Sequence, residues 1–139
     1  AGVGGDGSAS KAGSNLLEEM RAAYLLQRLT YSQNAPTGYD ILKLATRGSA
    51  ALLGRDDIGC LAAGMAADLF LVNLDRIELV AAQLDPRSML ATVGLKGAVD
   101  YTVVNGRAVV QNGQLVTVDE AEEAAAANAC AGRYLGRAL

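Results

Sequence analysis

The sequence contains no histidine and no tryptophan among its 139 residues. Imidazole is the commonest general base in proteins and the commonest metal ligand. This chain on its own therefore lacks the residues of a serine or cysteine hydrolase and of a histidine-ligated zinc enzyme. Any chemistry in which it takes part depends on carboxylates or on another piece of protein.

Concentrated positive charge, aromatic residues and long apolar runs are also scarce. Twelve basic and 15 acidic side chains give a net charge of -3, and the aromatic residues are one Phe and five Tyr. A nucleic-acid partner is not expected without a basic patch or stacking platforms. No run approaches the roughly 20 apolar residues of a membrane span, so we expect a soluble, cytoplasmic protein with no membrane partner.

The two cysteines, Cys60 and Cys130, show no metal-binding or disulfide spacing. They are 70 positions apart (130 − 60), without a Cys-x-x-Cys pair. We expect both to be buried, reduced thiols. With 51% hydrophobic residues, the chain has the composition of one globular domain with a sizeable core.

Helical periodicity dominates the first part of the chain. Ser14 is a candidate N-cap for the first helix, and Thr37 with Asp40 three residues later forms a capping-box pattern. Gly48 is expected to end the second helix, and a short third one follows. The predicted helices cover residues 15–28, residues up to Gly48 after the Thr37 cap, and residues 49–53.

Strands and tight turns dominate the rest. Residues 68–73 form a continuous apolar run that predicts a strand buried on both faces. Two Asn-Gly dipeptides, at Asn105 and Asn112, predict hairpin turns. The resulting meander has strands at 99–104, 107–111 and 114–118, and a helical turn follows Asp85. A final helix is expected from Asp119.

The first residues satisfy the letters of a dinucleotide-binding loop. Gly2, Gly4 and Gly7 match G-x-G-x-x-G, but that motif needs a strand before it and a helix opening within it. Neither context is present, so a nucleotide-binding enzyme is disfavoured.

Three stretches together resemble one family. They are Gly2-Val3-Gly4-Gly5-Asp6-Gly7-Ser8-Ala9-Ser10 with the helix that follows, the segment from Leu44 to Gly54 with its continuation to Leu69, and Val103-Val104-Asn105-Gly106-Arg107 with the second Asn-Gly turn. In this order they are similar to the metal-dependent amidohydrolases, in the branch of chlorohydrolases and aminohydrolases that deaminate nitrogen heterocycles. Within that branch, the amino-acid sequence most resembles the 8-oxoguanine deaminases.

The resemblance implies an α/β fold and an incomplete enzyme. Residues 1–55 would form the last strand and helices of a TIM (β/α)8 barrel, residues 56–118 the carboxyl-terminal strands of a small composite β-sandwich, and residues 119–139 a closing helix. The chain would be the carboxyl-terminal third of the enzyme, beginning inside the barrel. Its partners would be the missing amino-terminal part, a small heterocyclic substrate and, as is common in the family, further copies of itself.

Asp6 is the one catalytic position that the resemblance carries over. In the family, a carboxylate here binds one divalent metal, with zinc favoured and iron or manganese left open, and handles the proton of the water that attacks the ring. Carboxylates suit both tasks, and barrel active sites lie at the carboxyl ends of strands. Without the resemblance, Asp6 reads as a turn residue among glycines.

The other candidate residues have weaker support for a functional role. Ser8 and Ser10 could line the substrate pocket or be solvated, and Lys11 departs from the asparagine common in the family. Asp68 is interpreted as structural. The alternative from a different class is a non-catalytic structural or interaction module, in which Asp6 only forms a turn.

Overall fold

The computed structural model describes residues 1–5 and 15–136, which form helices beside one small antiparallel sheet. The helices are α1 (Leu16–Tyr31), α2 (Gly38–Lys43), α3 (Ser49–Leu52), α4 (Met89–Thr92) and α5 (Glu120–Leu135). The strands are β1 (Leu69–Leu71), β2 (Tyr101–Val104), β3 (Arg107–Gln111) and β4 (Gln114–Leu115). Helical and strand segments therefore divide the chain as the sequence predicts.

Helix α1 begins at an asparagine cap. The Asn15 side chain accepts a hydrogen bond from the Leu17 amide at 3.0 Å and donates to the Leu95 carbonyl at 3.3 Å. Ser14, the expected cap, lies outside the described residues. The helix continues to Tyr31, past the predicted end at Arg28.

Helix α2 starts with the predicted capping box. The Thr37 hydroxyl accepts from the Asp40 amide at 3.2 Å, and the Asp40 carboxylate accepts from the Thr37 amide at 3.0 Å. The expected end at Gly48 is wrong. Gly48 has φ −65° and ψ −43°, and the chain runs through a π-helical turn, Leu44–Gly48, directly into α3.

One apolar cluster joins the helices. Leu17, Met20 and Ile41 pack there with residues of the segment between β1 and β2, and Ile41 is only 1% exposed. Arg21 adds a polar link, since its guanidinium donates to the carbonyls of Thr92 and Val93 at the end of α4. Members from that segment are Leu79, Ala82, Met89, Ala91 and Leu95.

The sheet has the order β1-β2-β3-β4, with every neighbour antiparallel. Both Asn-Gly turns are confirmed, because Asn105 and Asn112 have positive φ and each is followed by a glycine that also does. The strand expected to reach residue 118 ends at Leu115. In β1, the expectation of burial on both faces is wrong for the described chain, since Phe70 is 39% and Leu71 54% exposed.

Helix α5 is confirmed, but it lies on the surface. Asp119 caps it by accepting from the amides of Ala121 and Glu122, and Gly132 is its one buried residue. Cys130 on this helix is exposed, so its expected burial is wrong; Cys60 is half-buried, and both are free thiols. Among the described helices, none is long and apolar enough to cross a membrane.

Shortening Ile41 tests the central cluster. Ile41→Ala is expected to lower the free energy of unfolding of the intact protein by about 2–5 kcal/mol, because a buried cavity replaces packed methyl groups. Ile41→Val should cost about 0.5–1.5 kcal/mol. Denaturant titration measures both, and equal effects would contradict tight packing at this position.

The Asp40 carboxylate predicts an acid-sensitive contribution to stability. Its pair with Lys43, 2.8 Å away, and its bonds to Thr37 hold the pKa of Asp40 well below its usual value. A depressed folded pKa stabilises the protein above the unfolded pKa, and this contribution is lost as the pH falls toward the folded pKa. Asp40→Asn should therefore destabilise at neutral pH, with a difference that shrinks below about pH 4. A pH-independent difference in unfolding free energy would be inconsistent with this origin.

Candidate functional site

The candidate site lies where the first residues of the chain meet the helical run from α2 to α3. Asp6, Ser8, Ser10 and Lys11 lie outside the described residues. The structure does describe residues 1–5, which lead directly to Asp6.

Ser49, the first residue of α3, contacts the backbone of residues 1–5 through its side-chain hydroxyl at Val3. The Ser49 Oγ accepts a hydrogen bond from the Val3 amide at 3.3 Å. The same hydroxyl is 3.1 Å from the Val3 carbonyl and 3.2 Å from the Leu44 carbonyl, either of which accepts its single proton. One hydroxyl therefore meets both backbone groups of Val3, while the Val3 side chain packs against the apolar cluster.

Two glycines allow this approach. A Cβ on Gly48 would lie 2.2 Å from the Ala1 carbonyl oxygen, and a Cβ on Gly2 would lie 2.7 Å from Leu52 Cδ1 and 2.9 Å from Ser49 Oγ. Neither glycine is needed for a positive φ. Gly48 is required because the backbone of Ala1 lies against it, and Gly2 because the Leu52 and Ser49 side chains do.

The π-helical turn places Ser49 and Gly48 toward the segment. The Ser49 amide donates to the Leu44 carbonyl, five residues earlier, as well as to the Thr46 carbonyl. Such single turns are frequent at functional sites, and they shift the side chains that follow around the helix axis. We call residues 44–49 together with residues 1–3 the cradle.

The described ranges do not form a complete metal site. No group of three His, Cys, Asp or Glu residues within residues 1–5 and 15–136 could hold a metal ion. Asp6 is the one ligand that the sequence nominates, so a divalent metal on this chain would need its other ligands from elsewhere.

Asp68 occupies the structural place expected of it. Its carboxylate accepts a hydrogen bond from the Asn105 amide at 2.6 Å, and next to it the Gly106 amide donates to the Ala67 carbonyl at 3.0 Å. These bonds attach the first Asn-Gly turn to the start of β1.

Sequence reasoning missed Ser49 and misread Gly48. The contact between Ser49 and Val3 joins residues 46 positions apart, so no local sequence pattern predicts it. The available signal was the pair of small residues, Gly48 and Ser49, inside a helical run where larger residues would be favoured.

The fold agrees with that of hydrolases of known structure. Atrazine chlorohydrolase from Arthrobacter aurescens, solved in complex with zinc, superimposes with a TM-score of 0.80 and 37% identity, covering 88% of this chain and 28% of that one. The α/β arrangement with its small antiparallel sheet thus matches part of that hydrolase.

Residues 1–109 match the Amidohydrolase family, and the chain belongs to it. Hydroxydechloroatrazine ethylaminohydrolase from Pseudomonas sp. strain ADP is 51% identical over 130 residues, which are 91% of this chain and 27% of that protein. The 8-oxoguanine deaminase of Pseudomonas aeruginosa is 44% identical over 118 residues, 85% of this chain and 26% of that protein. These relatives are hydrolases acting on C–N bonds, and the chain spans about a quarter of their length.

The comparison corrects one expectation. The ethylaminohydrolase is more similar to this chain than the 8-oxoguanine deaminase is. The expected closest resemblance to 8-oxoguanine deaminases is therefore wrong, whereas the resemblance to the amidohydrolases is confirmed.

Removing the Asp68 carboxylate tests its structural role. Asp68→Ala is expected to lower the free energy of unfolding of the intact protein by about 1 kcal/mol, because the Asn105 amide loses its acceptor. Turnover should not change. Glu78→Ala, which removes another exposed carboxylate, serves as the control, and a large loss of turnover in Asp68→Ala alone would contradict a structural role.

Proposed function

We propose that this chain is the carboxyl-terminal part of a metal-dependent hydrolase that removes an amine from a nitrogen heterocycle. The observation that carries the proposal is the 51% identity to an ethylaminohydrolase over 130 residues. The fold adds support, since the superposition on atrazine chlorohydrolase covers 88% of the chain.

The proposal includes a division of the chain. Residues 1–55 would be the end of a TIM barrel, residues 56–118 the last strands of a β-sandwich, and residues 119–139 a closing helix. Support comes from the helices between Leu16 and Leu52 and from the antiparallel sheet, whose strands lie between residues 69 and 115. The helix of the last part stands apart from the core.

The proposed cofactor is one divalent metal ion, with zinc the first choice. This chain would provide only part of its ligands. Zinc is present in the structure of the similar chlorohydrolase, and a carboxylate such as that of Asp6 is an ordinary zinc ligand. The described residues add no cluster of ligands. The chain would contribute one ligand to a site completed by residues outside this sequence, and iron or manganese would also accept a carboxylate.

Asp6 would hold the metal and move a proton. A divalent metal of this kind supplies a water molecule that ionises near neutral pH. The Asp6 carboxylate would accept the proton as the water oxygen attacks the ring carbon, and would then deliver it to the departing amine nitrogen. A single carboxylate can serve both steps because it is regenerated when the amine leaves.

The substrate would be a small ring such as a triazine or a purine, 8-oxoguanine included. The names of the two relatives support both ring classes, and the higher identity favours a triazine. The residues that read the ring would come mainly from outside this chain. A homo-oligomeric, cytoplasmic enzyme stays a prediction.

Replacing Asp6 tests the proposed function. In the intact gene product, Asp6→Asn keeps the size of the side chain but cannot carry the proton, so turnover of a hydroxy-triazine or 8-oxoguanine should fall by about 10²- to 10⁴-fold. Release of ammonia or alkylamine measures turnover, and bound zinc is determined in the same samples.

Asp56→Asn is the matched control, because it makes the same change at an exposed carboxylate. Full turnover in Asp6→Asn would contradict the assignment. The alternative of a non-catalytic module predicts that the intact gene product has the 14.3 kDa mass of this chain and releases no amine from either ring.

A further inference from the structure

We propose that Asp100 clamps the sheet to the central apolar cluster, so that loss of its ion pair lets the sheet open as a unit while the helices stay folded. The clamp consists only of described residues. Neither its existence nor its test therefore depends on the proposed function or on a metal site.

The four strands contribute no buried residue to the described chain. Their most enclosed side chains are half-buried, and Phe70 and Leu71 of β1 are 39% and 54% exposed. The central cluster is built instead from the helices and from the segment between β1 and β2, where Leu79 and Leu95 are 1% and 3% exposed. Regions with few buried apolar contacts open at a lower free energy than the core. The sheet therefore depends on its attachment to the cluster.

Two segments of chain run between the sheet and the cluster. Residues 72–76 lead out of β1, and Val72 and Leu74 pack against the cluster. Residues 96–100 lead back to β2, and Val99 packs against the same cluster. We call residues 72–76 together with residues 96–100 the neck. A contact between its two segments fixes how the sheet is held on the cluster.

Asp100 joins the two segments of the neck. One oxygen of its carboxylate, Oδ2, accepts a hydrogen bond from the Asn73 amide at 2.7 Å and another from the Arg76 guanidinium at 2.8 Å. The Asp100 amide donates to the Leu71 carbonyl at 3.0 Å, and the Asp100 carbonyl accepts from the Gly113 amide at 3.0 Å. Asp100 thus contacts the end of β1, the outgoing segment of the neck and the second Asn-Gly turn.

The ion pair of Asp100 with Arg76 is more enclosed than a typical surface pair. Its two side chains are 25% and 24% exposed, against 44% for each partner of the Asp40–Lys43 pair. Partial burial reduces screening by salt, and charge on both partners strengthens the hydrogen bond. The Asn73 amide and Arg76 hold the pKa of Asp100 below its usual value, so the carboxylate is charged at neutral pH. Because the pair joins residues 24 positions apart, breaking it loosens the neck.

The test measures amide hydrogen exchange in the intact gene product, residue by residue. Arg76→Gln removes the positive partner and leaves the backbone bonds of Asp100 in place, whereas Asp100→Asn removes the negative partner. Each should speed exchange in β2 and β3 by about 10- to 100-fold, which corresponds to the contribution of one hydrogen bond between charged groups. Exchange in α1 and α2 should keep its wild-type rate, because these helices retain their buried contacts.

Asp57→Asn is the matched control. It makes the same change in another ion pair, since Arg55 Nη2 lies 2.6 Å from Asp57 Oδ2, but that pair joins residues only two positions apart. Exchange in β2 and β3 should therefore stay at the wild-type rate. Acceleration equal to that of Arg76→Gln would show that loss of any surface ion pair loosens the sheet, and it would overturn the clamp.

The double variant Arg76→Gln/Asp100→Asn tests whether the two residues act as a pair. Both substitutions remove the same interaction, so the double variant should exchange no faster than the faster single variant. Effects that multiply would show that the two residues act independently, which contradicts the clamp.

Two further outcomes would also overturn the clamp. Unchanged exchange in β2 and β3 would mean that the ion pair does not hold the sheet. Equal acceleration in the sheet and in α1 would mean that the pair stabilises the whole fold and not the attachment of the sheet. Arg76→Gln decides the comparison if Asp100→Asn does not fold. Since exchange is read without turnover or zinc, full activity in Asp6→Asn would overturn the proposed function and leave the clamp in place.

Discussion

The burial of Ile41 and its neighbours is the interaction on which the rest of the structure depends. The cluster brings together α1, α2 and α4, and Val3 packs against its edge. Apolar burial of this kind has no direction of its own, so it sets the distance between elements but not their exact register. The register comes from polar contacts at the rim: Asn15 on Leu95, Arg21 on the end of α4 and Ser49 on Val3.

The contact of Ser49 with Val3 explains how the helices hold residues 1–3. Residues 1–3 have no strand to pair with among the described residues, and backbone amides and carbonyls are costly to leave without partners. The Ser49 hydroxyl accepts from the Val3 amide and lies within donating distance of the Val3 carbonyl, and the absence of a Cβ at Gly48 makes room for Ala1. The π-helical turn is the local cost, since it replaces regular helix geometry across five residues.

Local chemistry decided which elements the sequence could predict. The Thr37 capping box and the two Asn-Gly turns satisfy backbone groups within a few positions, so their patterns predict the observed structure. Gly48 shows the opposite case, because a glycine that ends a helix and one that admits a distant backbone look the same in sequence. The prediction for strand β1 is wrong for a related reason: its apolar run predicts burial, but the described chain offers no second layer over Phe70 and Leu71.

The residues of the candidate site also differ in whether the local sequence could predict them. Asp6 could be proposed only from resemblance, since nothing within a few residues of it requires a ligand, and Ser49 needed the fold to bring it across 46 positions. A histidine-free chain cannot complete a zinc site of the usual nitrogen ligands, and its described carboxylates do not gather into a substitute. Under the proposed function, this chain would supply one carboxylate, that of Asp6, which Gly4 and Gly5 separate from Val3 in the sequence. The contact of Ser49 with Val3 therefore anchors residues 1–3, and the resemblance alone nominates Asp6 as a ligand.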